Sequence, residues 1–217
     1  MPARSSSFAV AFVVLSSLSL GSLAACGDDG GGTAIDAPAT VDAPTGGDGG
    51  GPDAPAAAPT CSDYCTASAA SCTAANLMYA STGECMATCM RFTAGTVGQT
   101  SGNTLGCRLY HAGAAAGSVA NANTHCRHGG PGGDTLCGTN CEGFCTIVLG
   151  SCTAGNLQYG GSMSTCMTAC AGYATTPIYV ANATGNNFAC RLYHATAAAA
   201  LPGTHCPHTG VTSAACP

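Results

Sequence analysis

The sequence predicts a mainly α-helical protein made of two small disulfide-rich units in tandem behind a disordered tether. Three observations predict this class. There are seventeen cysteines in 217 residues with no Trp, a density that belongs to an oxidising compartment rather than to a reducing cytosol. Residues 27–60 are mostly Gly, Ala, Asp, Pro and Thr and have almost nothing to bury. From Cys61 onward, one cysteine framework occurs twice.

Charge narrows the range of partners. The cations are Arg4, Arg91, Arg108, Arg127 and Arg191, and there is no Lys. A nucleic-acid surface needs clustered cations to release counterions from phosphate, so that partner class is excluded. Six of the ten acidic residues, Asp28, Asp29, Asp36, Asp42, Asp48 and Asp53, precede residue 61. Beyond it Asp63, Glu84, Asp134 and Glu142 balance four arginines. The acidity thus belongs to the tether, and the folded region is near neutral, without long-range steering of a charged ligand.

Residues 1–25 carry one cation at Arg4, an apolar stretch from Phe8 and then small residues leading to Cys26. The apolar run is interrupted by Ser and followed at once by Gly and Asp, which suits a secretory signal better than a membrane span. Leu23-Ala24-Ala25-Cys26 resembles the lipobox of bacterial lipoproteins. That resemblance implies a lipidated Cys26 as the mature N-terminus, a membrane as partner through the anchor, and a place in the bacterial cell envelope, periplasmic or at the cell surface. Residues 26–60 then act as a lipidated cysteine and a spacer. Such a segment cannot offset its ordering entropy, and it spans on the order of 30 Å as a flexible coil.

Setting Cys26 aside leaves sixteen cysteines, eight in each unit. The first unit, residues 61–137, holds Cys61, Cys65, Cys72, Cys85, Cys89, Cys107, Cys126 and Cys137. The second, residues 141–216, holds Cys141, Cys145, Cys152, Cys166, Cys170, Cys190, Cys206 and Cys216. CTAANLMY (72–79) matches CTAGNLQY (152–159), CRLYHA occurs at 107–112 and 190–195, and THCRH (124–128) matches THCPH (204–208). Tyr64 pairs with Phe144, Tyr79 with Tyr159, Phe92 with Tyr173 and Tyr110 with Tyr193. This is a tandem duplication.

Within a unit, Cys61, Cys65 and Cys72 recur at helical spacing and place three sulfurs on one face of a first helix. Asn76 followed by Leu77 suits a left-handed helix stop. Ser81 and Glu84 have the spacing of a capping box that opens a second helix through Cys85 and Cys89; Ser162 and Thr165 form a weaker version. A third helix is expected from near Asn103 through CRLYHA, with Cys107, Tyr110, His111 and Ala114 on its inner face. Cys126 and Cys137 are expected in Gly- and Pro-containing loops.

The paired C-x3-C elements resemble the helical hairpins of twin CX3C proteins, in which an outer and an inner disulfide staple two antiparallel helices. The resemblance covers about thirty residues per unit and implies Cys61 with Cys89 and Cys65 with Cys85; Cys72 departs from it, and the other four cysteines stay unassigned among the many pairings open to eight. Units this small, rich in Ala, Gly, Ser and Thr, cannot assemble a large apolar core. Disulfides at about 2 to 4 kcal/mol each make such a chain foldable. The same cysteines as zinc thiolates are the lesser alternative in an oxidising compartment.

All six histidines fall in the repeat: His111, His125 and His128, matched by His194, His205 and His208. Three imidazoles per unit suit zinc or copper with an open fourth position. The competing reading makes them hydrogen-bond linchpins with no cofactor, and no CXXCH marks covalent haem. Arg108 and Arg191 also recur and are read as structural. No GxSxG, HExxH or phosphate loop occurs, and none of the four acids after residue 60 has a counterpart in the other copy, so no enzyme is expected. The leading expectation is therefore a membrane-anchored extracytoplasmic lipoprotein with a disulfide-stapled binding or structural module for a protein, glycan or small-molecule ligand. The alternative is a zinc- or copper-binding or redox-associated protein using the histidines.

Overall fold

The computed structural model describes residues 57–217; the expected signal segment, the expected lipidation at Cys26 and the expected tether as far as residue 56 lie outside the described residues. Those described fall within one compact unit, Gly50–Pro217, and form an all-helical, disulfide-rich domain of eight α-helices. The first repeat contributes α1 (Cys61–Ser71), α2 (Thr82–Cys89), α3 (Leu105–Ala114) and α4 (Val119–Gly129). The second contributes α5 (Asn140–Ser151), α6 (Met163–Cys170), α7 (Phe188–Ala200) and α8 (Pro202–Thr209). Among the described residues, no helix is long and apolar enough to cross a membrane.

Most of these helices are short and begin at a polar side chain that satisfies a free backbone N–H. Thr60, Ser81, Thr104 and Ser118 accept from Asp63, Glu84, Cys107 and Asn121 in turn. Thr139 and Glu142 form a complete capping box at α5. At Ser81 only half of the expected box forms. Glu84 N–H donates to Ser81 Oγ, but the buried Glu84 carboxylate instead accepts from Thr196 Oγ1 of α7.

Two local expectations are corrected. Asn76 is not the helix stop: α1 ends at Ser71 with Cys72 as its C-cap, and a 3₁₀ turn over Ala74–Asn76 follows in which Ala74 adopts φ +51°. Cys126 is not in a loop but on α4, its counterpart Cys206 on α8. Gly129, Gly130 and Pro131 close behind the cysteine suggested irregular chain, yet they terminate a helix that Ser118 had already started. In the second copy Pro202 opens the corresponding helix at a position where its missing N–H is harmless.

Eight disulfides bind the structure. Cys61–Cys89 and Cys65–Cys85 join α1 to α2, the pairs that the twin CX3C resemblance implies, and Cys141–Cys170 with Cys145–Cys166 repeat them. Cys72–Cys126 ties the end of α1 to α4, and Cys107–Cys137 ties α3 to the closing loop. Cys152–Cys206 and Cys190–Cys216 are their equivalents. This content of disulfides marks an extracytoplasmic protein.

Sulfur fills much of the interior, together with a few aromatic rings. The fully buried Tyr64 hydroxyl lies 2.8 Å from the Tyr79 hydroxyl and donates to Gly129 O at 2.7 Å, the carbonyl at the end of α4. Burial pushes its pKa up to about 12. The second repeat satisfies the equivalent carbonyl, Thr209 O, from Tyr159, which pairs instead with Tyr173. The hydroxyl lost where Tyr64 becomes Phe144 is thus restored where Phe92 becomes Tyr173.

The two arginines of CRLYHA are core residues. Arg108 is fully buried, with its guanidinium 3.7 Å from the Phe92 ring centre. It donates to the carbonyls of Thr104, Gly130 and Pro131. Burial pulls its pKa down to about 10. Arg191 stacks on Tyr173 at 4.2 Å and donates to the carbonyls of Asn187, Gly210, Val211 and Cys216. Each arginine fastens the turn after the last helix to the third helix. The structure thereby supports the structural reading of these residues.

The two repeats pack against each other, chiefly through α2 and α7. Thr88 Oγ1 donates to Thr196 O at 3.3 Å, Tyr179 OH to Met78 O at 2.8 Å and Asn103 Nδ2 to Thr146 Oγ1 at 3.1 Å. Gly143 lets α5 run against the end of the first repeat, since a Cβ there would lie 2.4 Å from Pro131 O.

Replacing Arg108 by Leu keeps bulk but removes the donors that three carbonyls share. The expected loss is on the order of 3 kcal/mol of unfolding free energy, with Arg108→Lys recovering only part because one ammonium cannot span the fork. Denaturant melts with the disulfides intact measure it.

Candidate metal centres

His111 sits one turn after Cys107 on α3, while His125 and His128 are three apart on α4 and so share a face. The disulfides set the relation between the two helices: Cys107–Cys137 anchors α3 beside His111, and Cys72–Cys126 grips α4 between its two histidines. Like Cys126 between them, these two histidines stand on a helix rather than in the loop expected around that cysteine. The α7–α8 pair presents His194, His205 and His208 in the same way.

Two of the three rings meet in each copy. His111 Nδ1 lies 3.0 Å from His125 Nδ1, and His194 Nδ1 lies 3.0 Å from His205 Nδ1. In the second repeat one ring nitrogen from each of the three histidines falls within 4.8 Å of the others. Two nitrogens bonded tetrahedrally to one zinc stand about 3.3 Å apart, given bonds of about 2.0 to 2.1 Å. Closing a metal into the second triad therefore needs adjustments of ångström scale or less. The three histidines of the first repeat do not come within that 4.8 Å spacing of one another. His128 is centred 5.3 and 6.3 Å from His111 and His125, against 4.6 and 5.9 Å for His208 from His194 and His205.

Hydrogen bonding does not account for the third histidine of either set. The Nδ1 atoms of His128 and His208 are buried without a partner, a state that structural histidines avoid. His111 Nε2 is 3.1 Å from Thr100 O, which places its proton on Nε2 and leaves Nδ1 with a lone pair facing His125. Burial, then the positive charge of neighbouring imidazolium, holds His194 down to about 4. Burial likewise lowers His111 and His205. At neutral pH these rings are uncharged and able to donate to a cation.

Other expected positions resolve differently. Tyr110 is half-exposed and turns its ring against His111 from outside, so it does not share the interior face. Sulfur from Cys107 and Cys137 lies near His111, and from Cys190 and Cys216 near His194, but those atoms are joined as disulfides. All sixteen cysteines of the repeats are oxidised, leaving no thiolate to hold zinc. The helical i, i+3 placement of His125 and His128 was the signal missed in the sequence; Ser118 as a cap and the spacing within THCRH carry it.

Residues 53–141 match the family model described as BfoA family C-terminal domain. The match spans the first repeat and ends at the first cysteine of the second, less than half of the chain. Neither a curated protein nor a solved structure matches the chain.

The histidine pKa shifts have a testable consequence for the metal-free protein. His194 takes its proton only near pH 4 when folded but near 6.5 when unfolded, so the unfolded state binds more protons between these values and stability falls as pH drops through that window. Glu84 acts oppositely, because burial raises its pKa. Thermal melts from pH 7 to pH 4 should show a declining midpoint, a steeper decline in Glu84→Gln, and a shallower one in His194→Gln.

Proposed function

We propose that this protein is a lipid-anchored envelope protein whose disulfide-stapled helical domain binds a divalent transition metal, zinc or copper, at one three-histidine site in each repeat. The observation that carries the reading is the convergence of His194, His205 and His208 within one ion's reach, with the same 3.0 Å nitrogen pair at His111 and His125. The facing Nδ1 pair of each repeat shares one hydrogen bond in the metal-free protein, whereas the buried Nδ1 of His128 or His208 has no partner. Three neutral imidazoles form a borderline-soft donor set that favours zinc and copper over calcium or magnesium.

The anchor rests on Leu23-Ala24-Ala25-Cys26, and the oxidised cysteines agree with a location outside the cytoplasm. In this reading the tether holds the domain away from the membrane and no residue is assigned to catalysis. A module that engages a protein or glycan surface is the second reading, and it rests on the anchor and stalk.

Elemental analysis after refolding with zinc or copper and exhaustive dialysis tests this. Two equivalents per chain are expected, falling to one when His194 and His205 are both changed to Ala. Less than a tenth of an equivalent per repeat would end the metal reading.

A further inference from the structure

The seam between the repeats holds a cleft of about 240 Å³. The first repeat contributes Arg127 of α4 and Asp134 of the closing loop to its wall, and the second contributes Asn140 of α5, Ile178 and, from α7, Phe188 and Leu192. Arg127 and Asp134 are features that the duplication does not share. Pro207 stands where Arg127 does, and residues 209–217 contain no acid. Polar groups make up the larger part of the cleft surface.

The charged side chains on this wall are Arg127 and Asp134, which pair at 3.0 Å, so the cleft has no net charge. Their side chains are 39% and 24% exposed, and the pair keeps part of its hydration. Asp134 N–H donates to Asn140 Oδ1 at 3.2 Å, which leaves the Asn140 NH₂ group as a donor. Asp134 and Thr135 both adopt left-handed backbone, at φ +40° and +77°, a conformation that a β-branched residue reaches only with strain. The turn that presents the carboxylate is thus held against its local preference. The apolar part of the wall is Phe188 and Leu192, one helical turn apart on α7, with the exposed Ile178.

Size and charge together select the occupant. The cleft has room for about eight waters at about 30 Å³ each and is smaller than the roughly 300 to 1,000 Å³ of sites for drug-sized ligands, so it takes one ring-sized molecule. An anion finds no spare positive charge, because Arg127 is already paired, and a cation finds no spare negative one. A wholly apolar molecule would dehydrate the ion pair without replacing its hydrogen bonds. A neutral ring with adjacent hydroxyls meets every demand. Each hydroxyl both donates and accepts, so neighbouring ones serve carboxylate, guanidinium and amide at once while the C–H face of the ring covers the apolar wall.

We propose that this cleft binds one neutral sugar residue, either a free monosaccharide or the terminal unit of a glycan, with Arg127, Asp134 and Asn140 reading its hydroxyls and Phe188, Leu192 and Ile178 packing on its ring. The site uses neither histidine set and stands apart from the metal reading. It gives the second, binding reading a place on the domain without resting on the anchor.

Saturation-transfer NMR on the full oxidised chain in EDTA tests this, with D-glucose, D-galactose, D-mannose and N-acetyl-D-glucosamine as probes. Titration to about 50 mM covers the millimolar affinity that about a dozen heavy atoms support. At least one of the four should receive saturation, and Asp134→Asn and Arg127→Gln should each weaken the best of them roughly tenfold or more. Ile178→Ser, at an exposed position that the fold does not depend on, should weaken it several-fold by the loss of ring contact. The methyl glycoside of that sugar separates the two sources: it binds at least as well as the free sugar if a glycan end is the ligand, and worse if a monosaccharide is. Saturation of none of the four, equal binding by all three variants, or tighter binding of D-glucuronate or hexanoate than of every neutral sugar would overturn the inference. None of these results bears on the metal reading, which elemental analysis decides separately.

Discussion

Each repeat depends on the covalent link from the end of its first helix to its fourth: Cys72 to Cys126, and Cys152 to Cys206. It closes a loop of 54 residues, much longer than the loops of the helical-hairpin staples, and therefore restricts the unfolded chain most. It also enters α4 between His125 and His128 and fixes the rotation of that helix. Together with Cys107–Cys137 it sets the one relation on which the candidate site depends, that of α3 to α4. The chemistry of the histidines follows from a crosslinked frame rather than from an apolar core.

Around this frame, polar groups perform tasks that Leu or Phe perform in larger domains. Arg108 and Arg191 lie buried on aromatic rings with their donors spread over backbone carbonyls, and neither has a carboxylate partner among the hydrogen bonds it makes. The tyrosines show how strict the accounting is. When the hydroxyl at the Tyr64 position is absent, as at Phe144, another appears at Tyr173, and the carbonyl ending the last helix is satisfied in both copies. Burying this carbonyl without a donor would cost about 1 to 3 kcal/mol, which approaches what a typical disulfide contributes.

The sequence made the helical class, the duplication and the α1–α2 staples legible because cysteine spacing reports them directly: three residues between sulfurs is one helical turn. It did not reveal α4 or α8. Asn121, Asn123, Gly129 and Pro207 are poor helix formers, and the helix is held by Cys126 or Cys206 and by the arginine below it, which are tertiary effects. Missing that helix also obscured the histidines, since their i, i+3 register is invisible in a chain taken for a loop. The depth of Arg108 was not legible, because the carbonyls that replace its hydration come partly from Gly130 and Pro131, more than twenty residues away.

The central claim is that covalent sulfur bonds, in place of a large hydrophobic interior, specify this fold. The most direct measurement is to unfold and fully reduce the chain, return it to native buffer with excess reductant, and record far-ultraviolet circular dichroism with protease resistance. The account predicts a chain without native helicity that is digested rapidly and that regains both properties on reoxidation. A reduced chain that recovered its helices and resisted protease would contradict it.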